Sequence, residues 1–231
     1  MNDGFIRAAI ALAAVSAVTT GASAQQGSNR LFIEQDGSNN SLVIDQSNAT
    51  GSNVGGLSVV PDARNTLRLE ALIGAPALAT TTAATQTGDG NTIDVTVEGS
   101  LGQVFFSQNS TATGGAVTND ATVSLTGDQA TAALFQYGAS NTATLNVTGL
   151  NATGAIAQIG NGNEGELLVS GQSAEALLLQ NGNGNVATGL EVSGTGASFV
   201  LQQIGNGLQA SGTTVSTNAQ GVTIIQRSLL P

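Results

Sequence analysis

Apolar and polar residues alternate along most of this chain, in short runs broken by Gly, Asn and Ser. Val104/Phe106, Ala132/Leu134, Ala176/Leu178, Phe199/Leu201 and Val222/Ile224 lie four and two residues before a Gln. Ile93/Val95/Val97 and Ala143/Leu145/Val147 lie two, four and six residues after an Asn. The residues between them, such as Thr92, Asp94 and Thr96, are polar. A period of two predicts strands with one buried and one solvated face. Between paired runs stands Gln-x-Gly-x-x-Asn, whose Gly and Asn tolerate positive φ and so predict a tight turn.

That turn recurs at Gln35–Asn40, Gln86–Asn91, Gln136–Asn141, Gln158–Asn163 and Gln180–Asn185. Gln203 opens a version that ends on Leu208, while Gln108 and Gln226 keep the Gln position without the full turn. From Gln86 the steps between Gln residues are 22, 28, 22, 22, 23 and 23. The long step reads as one repeat plus six residues inserted around 112–119. A second landmark, Val-x-Gly or Leu-x-Gly, ends at Gly99, Gly127, Gly149, Gly171 and Gly194, each nine residues before a repeat Gln. Two landmarks in one phase define a 22–23-residue unit of strand, turn, strand and turn. Two short strands bury no core alone, so the units must stack. The expected fold is all-β, a β-solenoid of stacked strand–turn–strand coils.

Three regions follow. Residues 1–24 read as a secretory signal peptide: Arg7, an apolar run from Ala8 to Val18, and Ala22-Ser23-Ala24 as the cleavage pattern. Residues 25–85 hold one clear repeat, one degenerate repeat with a strand expected over 65–71, and a loop containing Pro76. Residues 86–231 are regular repeats. No other apolar run approaches the ~20 residues a spanning helix needs, so membrane insertion is not expected.

An inward Gln beside apolar neighbours is costly unless its amide is paired. Stacked copies meet that need, because each amide donates to one coil and accepts from another. Gln35, Gln86, Gln108, Gln136, Gln158, Gln180, Gln203 and Gln226 are thus expected to form one ladder. Asn40, Asn91, Asn141, Asn163 and Asn185, and Gln46, are also expected to take part in laddering, with solvated turn residues as the plain alternative for Gln and Asn alike.

Composition narrows function. The net charge is −10 and the cations are five arginines, with no Lys, so nucleic-acid binding is not expected. Without His or Cys the commonest general base, thiol nucleophile and soft-metal ligands are missing. Neither an enzyme nor a cofactor is expected. Asp89, Asn161 and Asn183 sit in the turns like ligands of calcium-binding repeats, but the period is wrong and Asn replaces Asp.

The repeat resembles that of the curlin family, the subunits of bacterial curli fibres, which runs roughly S-x5-Q-x-G-x-x-N-x5-Q. Gln35, Gly37, Asn40 and Gln46 match its last twelve positions, with Asn29 where the family has Ser. In later units Val97, Val147 and Val169 stand at the Gln46 site. The resemblance spans about Asn29 to Gln226. It implies a secreted, self-assembling amyloid fibre subunit at the cell surface, contributing to biofilm matrix and adhesion. The implied partners are the chain itself, a homologous fibre subunit, an outer-membrane secretion channel and periplasmic chaperones. The loss of the second Gln favours a minor or nucleating subunit as the alternative. A monomeric β-solenoid adhesin and a polysaccharide-cleaving β-helix are the competing classes.

Overall fold

Alternating apolar positions close the repeats into two facing parallel sheets. The computed structural model of the chain describes residues 29–57, 82–111, 118–216, 218 and 221–228. The leader read at 1–24 and the strand expected over 65–71 lie outside them.

In chain order the strands are β1 (Arg30–Leu31), β2 (Ile33–Asp36), β3 (Ser41–Thr50), β4 (Asn53–Gly55), β5 (Ala84–Thr87), β6 (Thr92–Ser100), β7 (Gln103–Ser110), β8 (Asp120–Thr126) and β9 (Thr131–Ala139). They continue as β10 (Thr142–Thr148), β11 (Thr153–Asn161), β12 (Glu164–Val169), β13 (Glu175–Asn181), β14 (Val186–Ser193), β15 (Ser198–Ile204), β16 (Gln209–Ser211), β17 (Thr214–Ser216) and β18 (Gly221–Arg227). Strands that precede the Gln turn form the first sheet, in the order β1-β4-β7-β9-β11-β13-β15-β18. Strands that follow it form the second, in the order β16-β14-β12-β10-β8-β6-β3. Every pairing among the described strands is parallel. The fold is therefore a β-solenoid with one repeat per coil.

Register follows the repeat. Gln136 lies opposite Gln158, and Gln158 opposite Gln180, so each side chain stacks on its equivalent one coil away. The inward residues of both sheets meet in one core that includes Val95, Phe106, Leu134, Ile156, Leu178 and Leu201. Because side chains alternate across a strand, a slip of one residue would expel this whole set, and burial thus fixes the register.

Two irregularities answer features of the spacing. The extra residue after Gln180 is absorbed by a bulge: the β12–β14 register passes from Gly165↔Ala187 to Leu167↔Leu190, so Thr188 and Gly189 together oppose Glu166. The Glu166 carboxylate accepts from the freed Gly189 N–H at 3.0 Å. In the N-terminal region β4 and β5 both pair with β7, so two short strands share one strand level. β3 pairs directly with β6, which leaves no place for a further coil between those two strands.

One expectation needs correcting. The second sheet has the predicted polar outer face, with Asp94, Thr122 and Thr144 exposed or half-exposed. The first sheet does not. Its outward residues Phe105, Ala133, Phe135, Ala155, Ala157, Leu177 and Leu179 are buried in a second apolar cluster. These strands read as near-continuous apolar runs, the pattern of a strand buried on both faces.

Candidate functional site

The Gln turn forms because Gly occupies the second position after Gln with φ of +84° to +130°. At Gly160 φ is +118°, and a Cβ there would lie 2.0 Å from the carbonyl oxygen of Gly182. Glycine is thus required twice, by backbone conformation and by the close approach of the next coil. The tight turn brings the end of one strand and the start of the next together, with Gln and Asn side chains aimed inward between the sheets.

The eight Gln residues form one unbroken ladder. Each Nε2 donates to the Oε1 of the next coil: Gln35 to Gln86, Gln86 to Gln108 at 2.8 Å, Gln108 to Gln136 at 2.7 Å, Gln136 to Gln158 at 2.9 Å, Gln158 to Gln180 at 2.8 Å, Gln180 to Gln203 at 2.9 Å and Gln203 to Gln226 at 2.8 Å. The second amide proton goes to a backbone carbonyl of the preceding coil, as in Gln108 to Thr92 at 3.0 Å and Gln158 to Thr142 at 2.8 Å. That bond orients each amide, since a flipped Oε1 would face a carbonyl oxygen. All the amides therefore point the same way. From Gln86 to Gln203 these side chains are fully buried and fully paired.

The Asn residues form a second ladder of opposite sense. Asn141 donates from Nδ2 to Asn119 Oδ1 at 3.1 Å, and Asn163 to Asn141 at 3.0 Å. The same oxygens accept backbone N–H groups, as from Asn163 to Asn141 at 3.1 Å and from Asn185 to Asn163 at 3.1 Å. Nδ2 also reaches forward to a glycine carbonyl of the next coil, Asn141 to Gly160 at 2.8 Å. Asn40 and Asn91 begin this ladder, joined through Asn40 Oδ1, which accepts the Asn91 N–H at 2.9 Å. At its far end the backbone N–H of Leu208 still donates to Asn185 Oδ1 at 3.0 Å, although Leu208 has no amide to continue it.

Asn119 is a ladder member that stands outside any Gln-x-Gly-x-x-Asn motif. It is buried, and it donates to Asn91 Oδ1 at 3.1 Å. The insertion lies inside the turn, between Gln108 and Asn119, and hides the motif. Counting back one repeat from Asn141 finds it.

A third column is exposed. After Gln158, Gln180 and Gln203 the residue three positions on accepts a backbone N–H from the coil before it: Asn161 from Ala139 at 2.9 Å, Asn183 from Asn161 at 2.8 Å and Asn206 from Asn183 at 2.8 Å. Asp89 does the same for Ser38 N at 2.8 Å and also takes the Ser38 hydroxyl at 2.7 Å. That hydroxyl, and then the backbone N–H, hold the Asp89 carboxyl below its ordinary range. These are the residues whose turn position suggested calcium ligands. Their oxygens are engaged by neighbouring coils, and no group of three or more His, Cys, Asp or Glu among the described residues is placed to hold a metal.

Gln46 stands apart. It falls where the β3–β6 register shifts between Asp45 and Asn48, and its amide donates to the Ser52 hydroxyl at 2.8 Å within its own coil. Asn29 closes the same corner, accepting from Ser52 N at 3.0 Å and donating to Ala49 O at 3.1 Å. The equivalent column in later coils is Val97, Leu125, Val147, Val169 and Val192, all buried. One end of the coil is thus stitched by amides and the other is packed by aliphatic side chains. No helix among the described residues is long and apolar enough to cross a membrane. No family model, no curated protein and no solved structure matches this chain.

Proposed function

We propose that the chain is a secreted fibre subunit that stacks coil upon coil with further copies into a cross-β polymer, in the manner its repeat resemblance to curlins implies. One observation carries this reading: the Gln ladder is open and complementary at its two ends. Gln35 Oε1 has no donor among the described residues, and Gln226 Nε2 retains a proton after its bond to Gln209 O at 3.0 Å. A donor at one end and an acceptor at the other suit head-to-tail contact, which does not close on itself and therefore propagates. The outer edge of β18 also has no strand partner among the described residues, and Val222 and Ile225 on that strand are exposed. Solenoids that remain monomeric blunt such edges.

Export, a biofilm role, adhesion and the channel and chaperone partners rest on the resemblance. The aliphatic column from Val97 to Val192 favours a minor or nucleating subunit as the second reading, because one of the two family ladders is replaced. Purified chain from Gln25 onward, held near neutral pH, should pass through a lag phase, bind amyloid dye and give a 4.7–4.8 Å fibre reflection. Seeds of Gln226→Ala should elongate more slowly than wild-type seeds. A chain that stays monomeric for days sinks the fibre reading.

A further inference from the structure

The two sheets end out of step. Beyond β14 the second sheet stops at β16 and β17, whereas the first sheet runs on from β15 to one more strand, β18. Among the described residues no second-sheet strand lies on the level of β18, and the outer edges of β16 and β17 have no strand partner. The result is a step one strand deep, about 4.8 Å. Its floor is the edge of β16 and β17. Its wall is the inward side of β18, where Val222 and Ile224 continue the columns of Phe199 and Leu201. Val222 is 37 % exposed, while Phe199 and Leu201, one level back, are 1 % exposed. On the floor Leu208 and Ala210 are only half-buried, whereas Ala187, one coil back, is fully buried.

We propose that this step is an acceptor site for one extended strand of another polypeptide, laid parallel to β16 and β17. Backbone hydrogen bonds to the open edge supply the attachment, and the alternate side chains supply the choice of partner. The columns already in place state what fits. Ala143, Ala187 and Ala210 form a narrow column, and Val147, Val192 and Val215 an aliphatic one. The strand therefore carries a small residue and then aliphatic residues at alternate inward positions, with polar residues between. Leu208 ends the Asn column, so the head of the strand meets an aliphatic side chain rather than an amide. A second copy of this chain does not fit. Its outermost second-sheet strand, β3, follows β2 across the tight turn 37–40, so seating β3 on the step would drive β2 into β18. The donor is a segment with no first-sheet strand just ahead of it. Copies stacked head to tail would then meet a finished coil, but the site lies on the single chain and does not require the fibre.

The chain has no Cys, so introduced thiols are unique. Thr214 stands in one column with Asn146, Leu168 and Glu191. A peptide of residues 142–149 carrying Asn146→Cys is mixed with dilute, freshly purified full-length Thr214→Cys and oxidised mildly. One peptide should join each chain, read by mass, since bridging needs Cβ atoms about 4 Å apart. The same peptide with Thr142→Cys as its thiol instead, out of register, should join at least tenfold more slowly. So should the Asn146→Cys peptide with full-length Thr122→Cys, whose thiol lies on the outer face of the second sheet away from the edge. No joining, or equal joining in either control, overturns the proposal. Asp45 of β3 belongs to the same column as Thr214. Full-length Asp45→Cys joining Thr214→Cys as fast as the peptide does would put a second copy in the step and also overturn it.

Discussion

The two ends of each coil solve one problem with different chemistry. At the Gln turn, buried amides join every coil to the next through directional hydrogen bonds. At the opposite corner, Val97, Leu125, Val147, Val169 and Val192 stack as a column of buried aliphatic side chains. An aliphatic column gains from burial but is indifferent to which coil lies above it. An amide column is not, because an unpaired buried donor or acceptor costs about 1–3 kcal/mol. The turn therefore specifies register, while the corner only seals the core.

The largest effect is expected where backbone meets backbone. Gly160→Ala puts a Cβ 2.0 Å from Gly182 O at a φ of +118°. It should cost more than about 3 kcal/mol of unfolding free energy, measured by urea denaturation. Gly162→Ala, at φ +65° with nothing near, should cost about 1 kcal/mol. Equal effects would mean that the coils are not in close contact at the turn.

Next comes the ladder against the corner. Gln158→Ala strands Gln136 Nε2 and Gln180 Oε1 in the core, for roughly 2–6 kcal/mol. Val147→Ala deletes buried methyl groups only, for roughly 1–3 kcal/mol. Gln158→Ala should also slow seeded growth more than Val147→Ala does. If the two variants behave alike, the distinction between the ends fails.

The exposed column should matter less. Asn161→Ala removes the acceptor of Ala139 N–H, in water, for about 0.5–1.5 kcal/mol.

The smallest effect is a titration shared by both ends. Asp89 at the turn is held below the ordinary carboxylate range by the Ser38 hydroxyl and then its N–H, and Asp128 at the corner by those of Ser100. A folded pKa below the unfolded one gives stability that is present above the ordinary Asp value near 3.8 and lost as pH falls through the folded value. Melting temperature should drop slightly more between pH 5 and pH 2 in wild type than in the Asp89→Asn, Asp128→Asn double variant. Identical slopes would remove both carboxylates from the account.

The repeat was legible because the constraint repeats. A position that faces its own equivalents must satisfy one environment many times over, so Gln, Gly and the alternating aliphatics recur in phase. Asn119 was hidden because six residues inserted within its turn break the local motif without disturbing the register. Gln46 matched the family pattern, yet a bulge turned it onto Ser52, and no spacing argument foresees a bulge. The outer face of the first sheet departs from strict alternation, because Phe105-Phe106 and Leu177-Leu178-Leu179 are apolar throughout.

The sequence alone determined the coil: its length, its two turns, the inward side chains and the identity of the Gln column. These depend on local periodicity and on the need of each unit for a like neighbour. The tertiary structure alone decided the sense of the ladders, since amide direction is set by backbone carbonyls of the adjacent coil. It also decided that β4 and β5 share one strand level across an insertion, and that one sheet is covered on both faces. Those outcomes depend on contacts between segments far apart in sequence, which leave no period to read.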